Sequence, residues 1–259
     1  MKKYIKDLEV HATEHPAEGY TLLKLRAADG DKLPPMEPGQ FVEVRAGSPG
    51  DTSLRRPISI NFVTPDGKEL WLLVHEVGRH TRAMGRLAAG DTLNCILPLG
   101  HGFRLHAAGA RVLLVGGGVG TAPLLYYGHR LREAGCRPTF LLGGRTAEAI
   151  LQSDLFARYG DVHLTTEDGS AGERGFVTDH SVWNERFDAV ATCGPKPMMQ
   201  AVARRAQAKG VACEASLENM MACGLGACLC CVEKTVSGHN LCVCQSGPVF
   251  NTQELQWLD

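Results

Sequence analysis

The nine residues Cys223-Gly-Leu-Gly-Ala-Cys-Leu-Cys-Cys231 hold four cysteines and two glycines, a density that points to chemistry at sulfur. Cys223, Cys228 and Cys231 follow the spacing C-x4-C-x2-C, and Cys244 comes twelve intervening residues later, just before QSGPVF. With one distant cysteine, this is the plant-type spacing for a [2Fe–2S] cluster. Structural zinc also takes four thiolates, but its cysteines come as two knuckles with ligands two to four residues apart. Gly224 and Gly226 reach backbone angles closed to other residues and let amide N–H groups turn toward sulfur, where they stabilise the added negative charge of a reduced centre. Cys230 and Cys242 lie beside proposed ligands and read as small packing thiols.

Three other stretches have the residue types for binding. LRRPISI (54–60) sets two arginines, a proline and a serine at a strand start. An arginine fork suits a pyrophosphate, and a serine hydroxyl with exposed backbone suits the edge of an isoalloxazine ring. LVHEVGRHT (73–81) is a second strand running into a polar turn at the same end, which would make the phosphate cradle two-sided. GGGVGTAPLL (116–125) follows a strand and opens a helix, so N–H groups and a helix N-terminus face whatever lies in the turn, as for a dinucleotide phosphate. Its spacing is not a full G-x-G-x-x-G. No acidic residue is assigned to a ribose, and Arg145 after the next strand leaves NADP open. Cys193-Gly194-Pro195 ends a strand at the carboxyl edge of the sheet, where open α/β folds bind ligands. No histidine pairs with Cys193, so it reads as a buried strand-end thiol and not a nucleophile.

These groups need elements to hold them. A chain of 259 residues has room for two or three small domains. The expected fold class is multidomain β plus α/β. Short alternating runs up to about Leu105, such as FVEVRA (41–46) and ELWLLVHEV (69–77), predict an antiparallel β-barrel over residues 1–107. From Ala110 strands alternate with helices, predicting a parallel α/β nucleotide-binding domain over 108–217, with AEAILQSDLFARYG (147–160) as one of its helices. Residues 218–259 are expected to form a small module organised by the cluster. The 27 Lys and Arg against 28 Asp and Glu leave a net charge of −1, which gives no reason to expect nucleic acid. The N-terminus lacks the apolar core of a signal peptide and no segment has the length of a membrane span, so no membrane and a cytoplasmic location are expected. Six of the ten cysteines fall between 223 and 244, which favours metal binding over disulfides.

A nicotinamide exchanges electrons in pairs and an iron–sulfur centre takes them singly; a chain with both needs a flavin between them. With the cysteine run, RPIS (56–59), the HT at 80–81, GGGVGTAPLL, CGPKPMM (193–199) and VCQSGPVF (243–250) resemble the electron-transfer subunit of type B dihydroorotate dehydrogenase, in the ferredoxin-reductase superfamily. The resemblance covers nearly the whole chain. It implies that Arg56, Pro57, Ile58 and Ser59 hold FAD, with Leu73, Val74 and His75 on the next strand and His80 and Thr81 at the pyrophosphate; His80 stands where glycine is expected. It implies that Gly116, Gly117, Gly118, Gly120 and Thr121, with Cys193 and Gly194, shape the NAD site, and that Cys223, Cys228, Cys231 and Cys244 ligate the cluster.

The resemblance further implies an FMN-containing catalytic subunit, two of each chain in a heterotetramer. That partner would oxidise dihydroorotate in pyrimidine (UMP) biosynthesis, and electrons would pass through the cluster and FAD of this chain to NAD+. No eight-fold βα pattern exists here for the substrate-oxidising barrel. The C-terminal module is therefore expected at the subunit boundary, with Leu225, Leu229 and the tail LQWLD as contact surface or with Trp257 packed on its own domain. The rival readings are a reductase subunit of an NADP-ferredoxin oxidoreductase, sulfite reductase or hydrogenase complex, and a redox-sensing or zinc-stabilised binding protein without a flavin.

Overall fold

The computed structural model describes residues 2–45 and 54–258, and Ala46 of the expected strand 41–46 lies outside them. The first part is a seven-stranded antiparallel sheet built from β1 (Tyr4–Ala17), β2 (Tyr20–Ala27), β3 (Phe41–Arg45), β4 (Arg56–Ser59), β5 (Phe62–Val63), β6 (Glu69–His75) and, after the short helix α1 (Arg79–Met84), β7 (Thr92–Leu99). Its strand order is β4-β3-β7-β1-β2-β6-β5. The sheet curls into a half-barrel whose end strand β4 comes back beside β6. Alternation accounts for β1, where Leu8 and Val10 are buried between exposed neighbours.

The second part begins with β8 (Arg111–Gly117), then a 3-10 turn over Gly118–Thr121 and α2 (Ala122–Glu133). It continues through β9 (Arg137–Gly144), α3 (Ser153–Phe156), β10 (Asp161–Thr166), β11 (Glu173–Arg174), β12 (Ala189–Cys193), α4 (Lys196–Ala208) and β13 (Ala212–Ser216). From β8 to β13 the strands pair in parallel, in the order β11-β10-β9-β8-β12-β13. β8 is apolar without alternation because helices cover both faces of such a sheet. The order reverses between β8 and β12, which opens a crevice at their carboxyl ends.

The helix expected over 147–160 is not formed. A single 3-10 turn covers Ala147–Ala149, and α3 has four residues. Tertiary contact outweighs helical periodicity here: Leu151 is buried in a cluster with Leu22, Leu73 and Ala122, and Gln152 has φ 57°. The chain ends with the hairpin β14 (Val232–Lys234) and β15 (Asn240–Cys242), the short α5 (Val243–Ser246) and β16 (Val249–Asn251). β16 joins the parallel sheet antiparallel to β13. Phe41 and Leu99 on the half-barrel pack with Cys231, Val243, Cys244 and Phe250, so the cysteine-rich segment covers that side of β3 and β7.

Candidate functional site

The arginine pair at 55–56 divides its work. Arg55 donates to the carbonyls of Glu43 at 3.3 Å and Asn94 at 2.6 Å and to the Asn94 side chain, tying β4 to its neighbours. Arg56 reaches the other way, with Nη2 3.0 Å from His80 Nδ1. His80 is buried, and its Nε2 is also buried with no protein partner. A buried ring nitrogen without a partner is costly unless something bound there satisfies it. Thr81 Oγ1 is used locally, accepting from the Gly78 N–H at 2.9 Å and donating to the Gly78 carbonyl at 3.1 Å. Pro57, Ile58 and Ser59 on β4 face Leu73, Val74 and His75 on β6 across one cleft of about 370 Å³. The exposed His75 ring stacks on Tyr20, centroids 4.5 Å apart.

Gly116 and Gly117 end β8, and Gly118, Gly120 and Thr121 form the following turn. The turn lies hard against the end of β12: a Cβ on Gly120 would stand 2.4 Å from Gly194 Cα and 2.5 Å from Gly194 N. Gly194 has φ 151° and Gly118 φ 56°, and a Cβ on Gly118 would meet nothing within 4 Å, leaving open space above the turn. Cys193 is completely buried, which pushes its thiol pKa well up, so it is an inert neutral thiol.

In the cysteine loop, Gly224 and Gly226 have φ 63° and 82°. The bends aim backbone at sulfur: Leu225 N–H lies 3.3 Å from Cys223 Sγ, Gly226 N–H 3.1 Å from Cys244 Sγ, and Cys244 N–H 3.4 Å from Cys231 Sγ. Burial works against the Cys223 thiolate, but N–H groups of Leu225, Cys228 and Ala227 and the Cys228 thiol outweigh it and bring the pKa down to about 6. Burial, then its neighbour Cys231, holds Cys244 up at about 12. Among the described residues no three ligating side chains gather around a single point. Cys223 interacts with Cys228, and Cys231 with both Cys244 and Cys242. Backbone N–H groups aimed at the sulfurs of Cys223, Cys231 and Cys244 fit an iron–sulfur centre. Cys230 is exposed and so is not the packing thiol expected, and the partly buried Cys242 thiol points at the Gly226 carbonyl, 4.0 Å away.

Glu43 on β3 lies under this loop, and a Cβ on Gly224 would come within 2.6 Å of its Cγ. It is fully buried and neither carboxyl oxygen has a partner. Burial raises its pKa to about 7, opposed by Arg55 and Arg56 and assisted by Cys223. The folded state therefore holds this proton more tightly than the unfolded chain, and stability falls as pH rises from about 4.5 to about 7. Glu43→Gln should flatten that fall, a difference on the order of 3 kcal/mol above pH 7, read as the gap between wild-type and variant melting curves at pH 5 and pH 8.

The cleft brings the three regions together: Val119 from the glycine turn, Ala122 from the start of α2, Leu217 just past β13, and Glu218 to Met221 and Pro248 from the cysteine-rich segment line it with β4 and β6. Residues 218–256 match the family model for the iron-sulfur cluster binding domain of dihydroorotate dehydrogenase B. The dihydroorotate dehydrogenase B (NAD(+)) electron transfer subunit of Shouchella clausii is 38% identical over 253 residues, 95% of either chain. This chain belongs to the family of dihydroorotate dehydrogenase B electron transfer subunits. The family member from Geobacillus sp. (strain WCH70) is 40% identical over 84% of this chain and 86% of its own. The solved NADH-dependent reduced ferredoxin-NADP oxidoreductase has a chain that superposes with a TM-score of 0.86 at 32% identity, over 96% of this chain and 90% of that one.

Two features of this electron transfer subunit escape a reading by residue type. Glu43 sits in FVEVR as if on a solvated face, yet β3 is covered on both sides. Asn61 and Gln152 are ordinary polar residues in the sequence, and only the fold makes them meet. Of the alternatives open for the tail, Trp257 is buried against the chain's own core, whereas Leu225 and Leu229 are exposed beside the cysteine loop, together with Met220.

Proposed function

We propose that this chain carries electrons from the FMN of a dihydroorotate dehydrogenase catalytic subunit to NAD+, with FAD and a [2Fe–2S] cluster as its own carriers. The observation that carries this reading is family membership over the whole chain, joined to a cleft on which flavin-type, dinucleotide-type and cysteine-rich regions all border. When bound, FAD accepts single electrons from an iron–sulfur centre and exchanges a hydride with a nicotinamide.

In this reading residues 1–107 bind FAD, 108–217 bind NAD(H) and 218–259 hold the cluster. Pro57, Ile58, Ser59, Leu73, Val74 and His75 form the walls of the flavin site. Arg56 supplies positive charge and His80 Nε2 a polar contact for the pyrophosphate, with Thr81 fixing the turn that carries His80. Arg56→Ala should weaken FAD binding roughly 10–100-fold, the equivalent of the about 1.5–3 kcal/mol a hydrogen bond to a charged group contributes. Titrating FAD into the flavin-free variant by fluorescence checks this, and the cluster spectrum should not change. Gly116, Gly117, Gly118, Gly120 and Thr121, with Cys193 and Gly194, leave backbone room for the nicotinamide dinucleotide. Cys223, Cys228, Cys231 and Cys244 are the cluster ligands.

Met220, Leu225 and Leu229, exposed next to the cysteines, suit the catalytic subunit as a contact, and a cytoplasmic heterotetramer of two of each chain completes the reading. No helix among the described residues is long and apolar enough to cross a membrane. The test mixes this chain anaerobically with an FMN-loaded catalytic subunit from the same source, dihydroorotate and NAD+. NADH formation that requires both chains supports the reading. Silence with intact flavin and cluster spectra would instead favour the second reading, a reductase subunit of another flavin/iron–sulfur assembly, to which the 32% identity with the ferredoxin-NADP oxidoreductase chain lends its support.

A further inference from the structure

Asn61 lies two residues past Ser59, in the link from β4 to β5, and is completely buried. Its own N–H is taken by the Trp71 carbonyl at 3.0 Å. Its side chain leaves the half-barrel altogether. Nδ2 donates to the Ala122 carbonyl at 3.0 Å and to Gln152 Oε1 at 3.0 Å, and Gln152 Nε2 donates back to Asn61 Oδ1 at 3.1 Å. Two amides exchanging two hydrogen bonds fix direction as well as distance, and the fully buried Asn61 is costly to leave half satisfied.

Both ends of this link belong to the cleft. Ser59 and Ala122 line it directly, and Ala122 is the first residue of α2, immediately after the turn Gly118–Thr121. Gln152 takes a left-handed φ of 57°, one of two non-glycine residues with positive φ among those described. A residue held in that region marks a place where the surroundings over-determine the backbone. The neighbouring contacts between the two parts are of another kind: Phe62 packs on Tyr126, His129 and Tyr159 at centroid distances of 5.1 to 5.9 Å. Ring packing supplies adhesion but is tolerant of small slips, whereas the amide pair is not.

We propose that Asn61, locked by Gln152, is a positioning residue that sets the separation of the flavin strand β4 from the dinucleotide turn, and with it the approach of the nicotinamide to the flavin. The proposal rests on the functional reading above. The reaction it serves is balanced within that reading: NADH gives up a hydride, two electrons with one proton, to the flavin and becomes NAD+, and the second proton of the reduced flavin comes from solvent. Hydride exchange needs the two rings at contact, so a small misplacement affects rate far more than affinity. Neither amide touches the reacting atoms.

The test is anaerobic rapid mixing of NADH with the cofactor-loaded complex of both subunits, following flavin bleaching in wild type, Asn61→Leu, Gln152→Gly and the double variant. Glycine accepts the left-handed φ, so Gln152→Gly removes the amide without adding strain and stands as a second probe should Asn61→Leu fold poorly. The expected result is a flavin reduction rate at saturating NADH lowered at least about tenfold in each single variant. The NADH concentration for half-maximal rate, the FAD content and the cluster spectrum should stay at their wild-type values. The double variant should be no slower than the slower single one, because both remove one shared interaction. An unchanged saturating rate, a loss confined to NADH affinity, or multiplicative effects in the double variant would each overturn the proposal. A wild-type flavin that NADH fails to bleach would overturn the functional reading itself, and the proposal with it.

Discussion

Cys244→Ser should abolish the [2Fe–2S] absorption and reduce dihydroorotate-driven NADH formation to background, while FAD stays bound and NADH still bleaches it. The argument starts from the environment of that sulfur. Cys244 is buried, it accepts the Gly226 N–H at 3.1 Å, and it pairs with Cys231. The Gly226 N–H is aimed by a left-handed glycine whose added Cβ would strike Gln245 Oε1 at 2.5 Å. The loop is thus shaped to bring a donor to this thiol. Loss of a group that merely supports a ligand costs about 10–100-fold in metal affinity, and loss of the ligand should exceed that. Cys242→Ser is the control. Its thiol lies near the proposed ligands, Cys231 above all, but faces the Gly226 carbonyl, an acceptor that would oppose a thiolate, so the cluster should survive. Iron content and the visible spectrum after anaerobic reconstitution decide between them. A cluster lost in Cys242→Ser and kept in Cys244→Ser would reverse the assignment of the fourth ligand.

What the sequence made legible follows from how local each signal is. The strand-turn-helix of 111–133 and the alternation of β1 are written in adjacent residues, and both appear in the fold. The run GPVF (247–250) stood out as a motif, and the fold supplies its reason. His101 N–H donates to the Gly247 carbonyl at 2.6 Å and Leu217 N–H to the Pro248 carbonyl at 2.9 Å, so the run fastens the cysteine segment to both sheets. Residues 147–160 depart from the expected helix because, although their apolar spacing suits one, Leu151 and Gln152 serve distant partners, Leu22, Leu73 and Ala122 for the first and Asn61 for the second. Glu43 was illegible for the same reason. A glutamate between valines reads as a solvated edge until a second layer covers it, and the layer that covers Glu43 lies some 180 residues further along.

Gly120→Ala should cost more NAD(H) affinity than any other single methyl group added to the dinucleotide turn. At Gly118 a Cβ meets nothing within 4 Å, so although φ 56° penalises the backbone, the crevice keeps its shape. At Gly120 the new carbon falls 2.4 Å from Gly194 Cα, 2.5 Å from Gly194 N and 2.7 Å from the Cys193 carbonyl carbon. All three are backbone atoms and none can swing aside as a side-chain tip would. The end of β12 must separate from the turn, which widens the crevice at the point where strand order reverses. Overpacking of this kind typically costs about 1–3 kcal/mol. Drawn from the binding-competent geometry, that corresponds to roughly 5–150-fold weaker NADH binding. In the proposed reading FAD and the cluster sit on β4, β6 and the cysteine loop, none of which holds the atoms that clash, so their spectra should be unchanged. Equilibrium titration of NAD(H) against the loaded complex of Gly120→Ala and Gly118→Ala checks the order. Equal losses at the two glycines would mean that backbone freedom, and not the contact with Gly194, is what the turn requires.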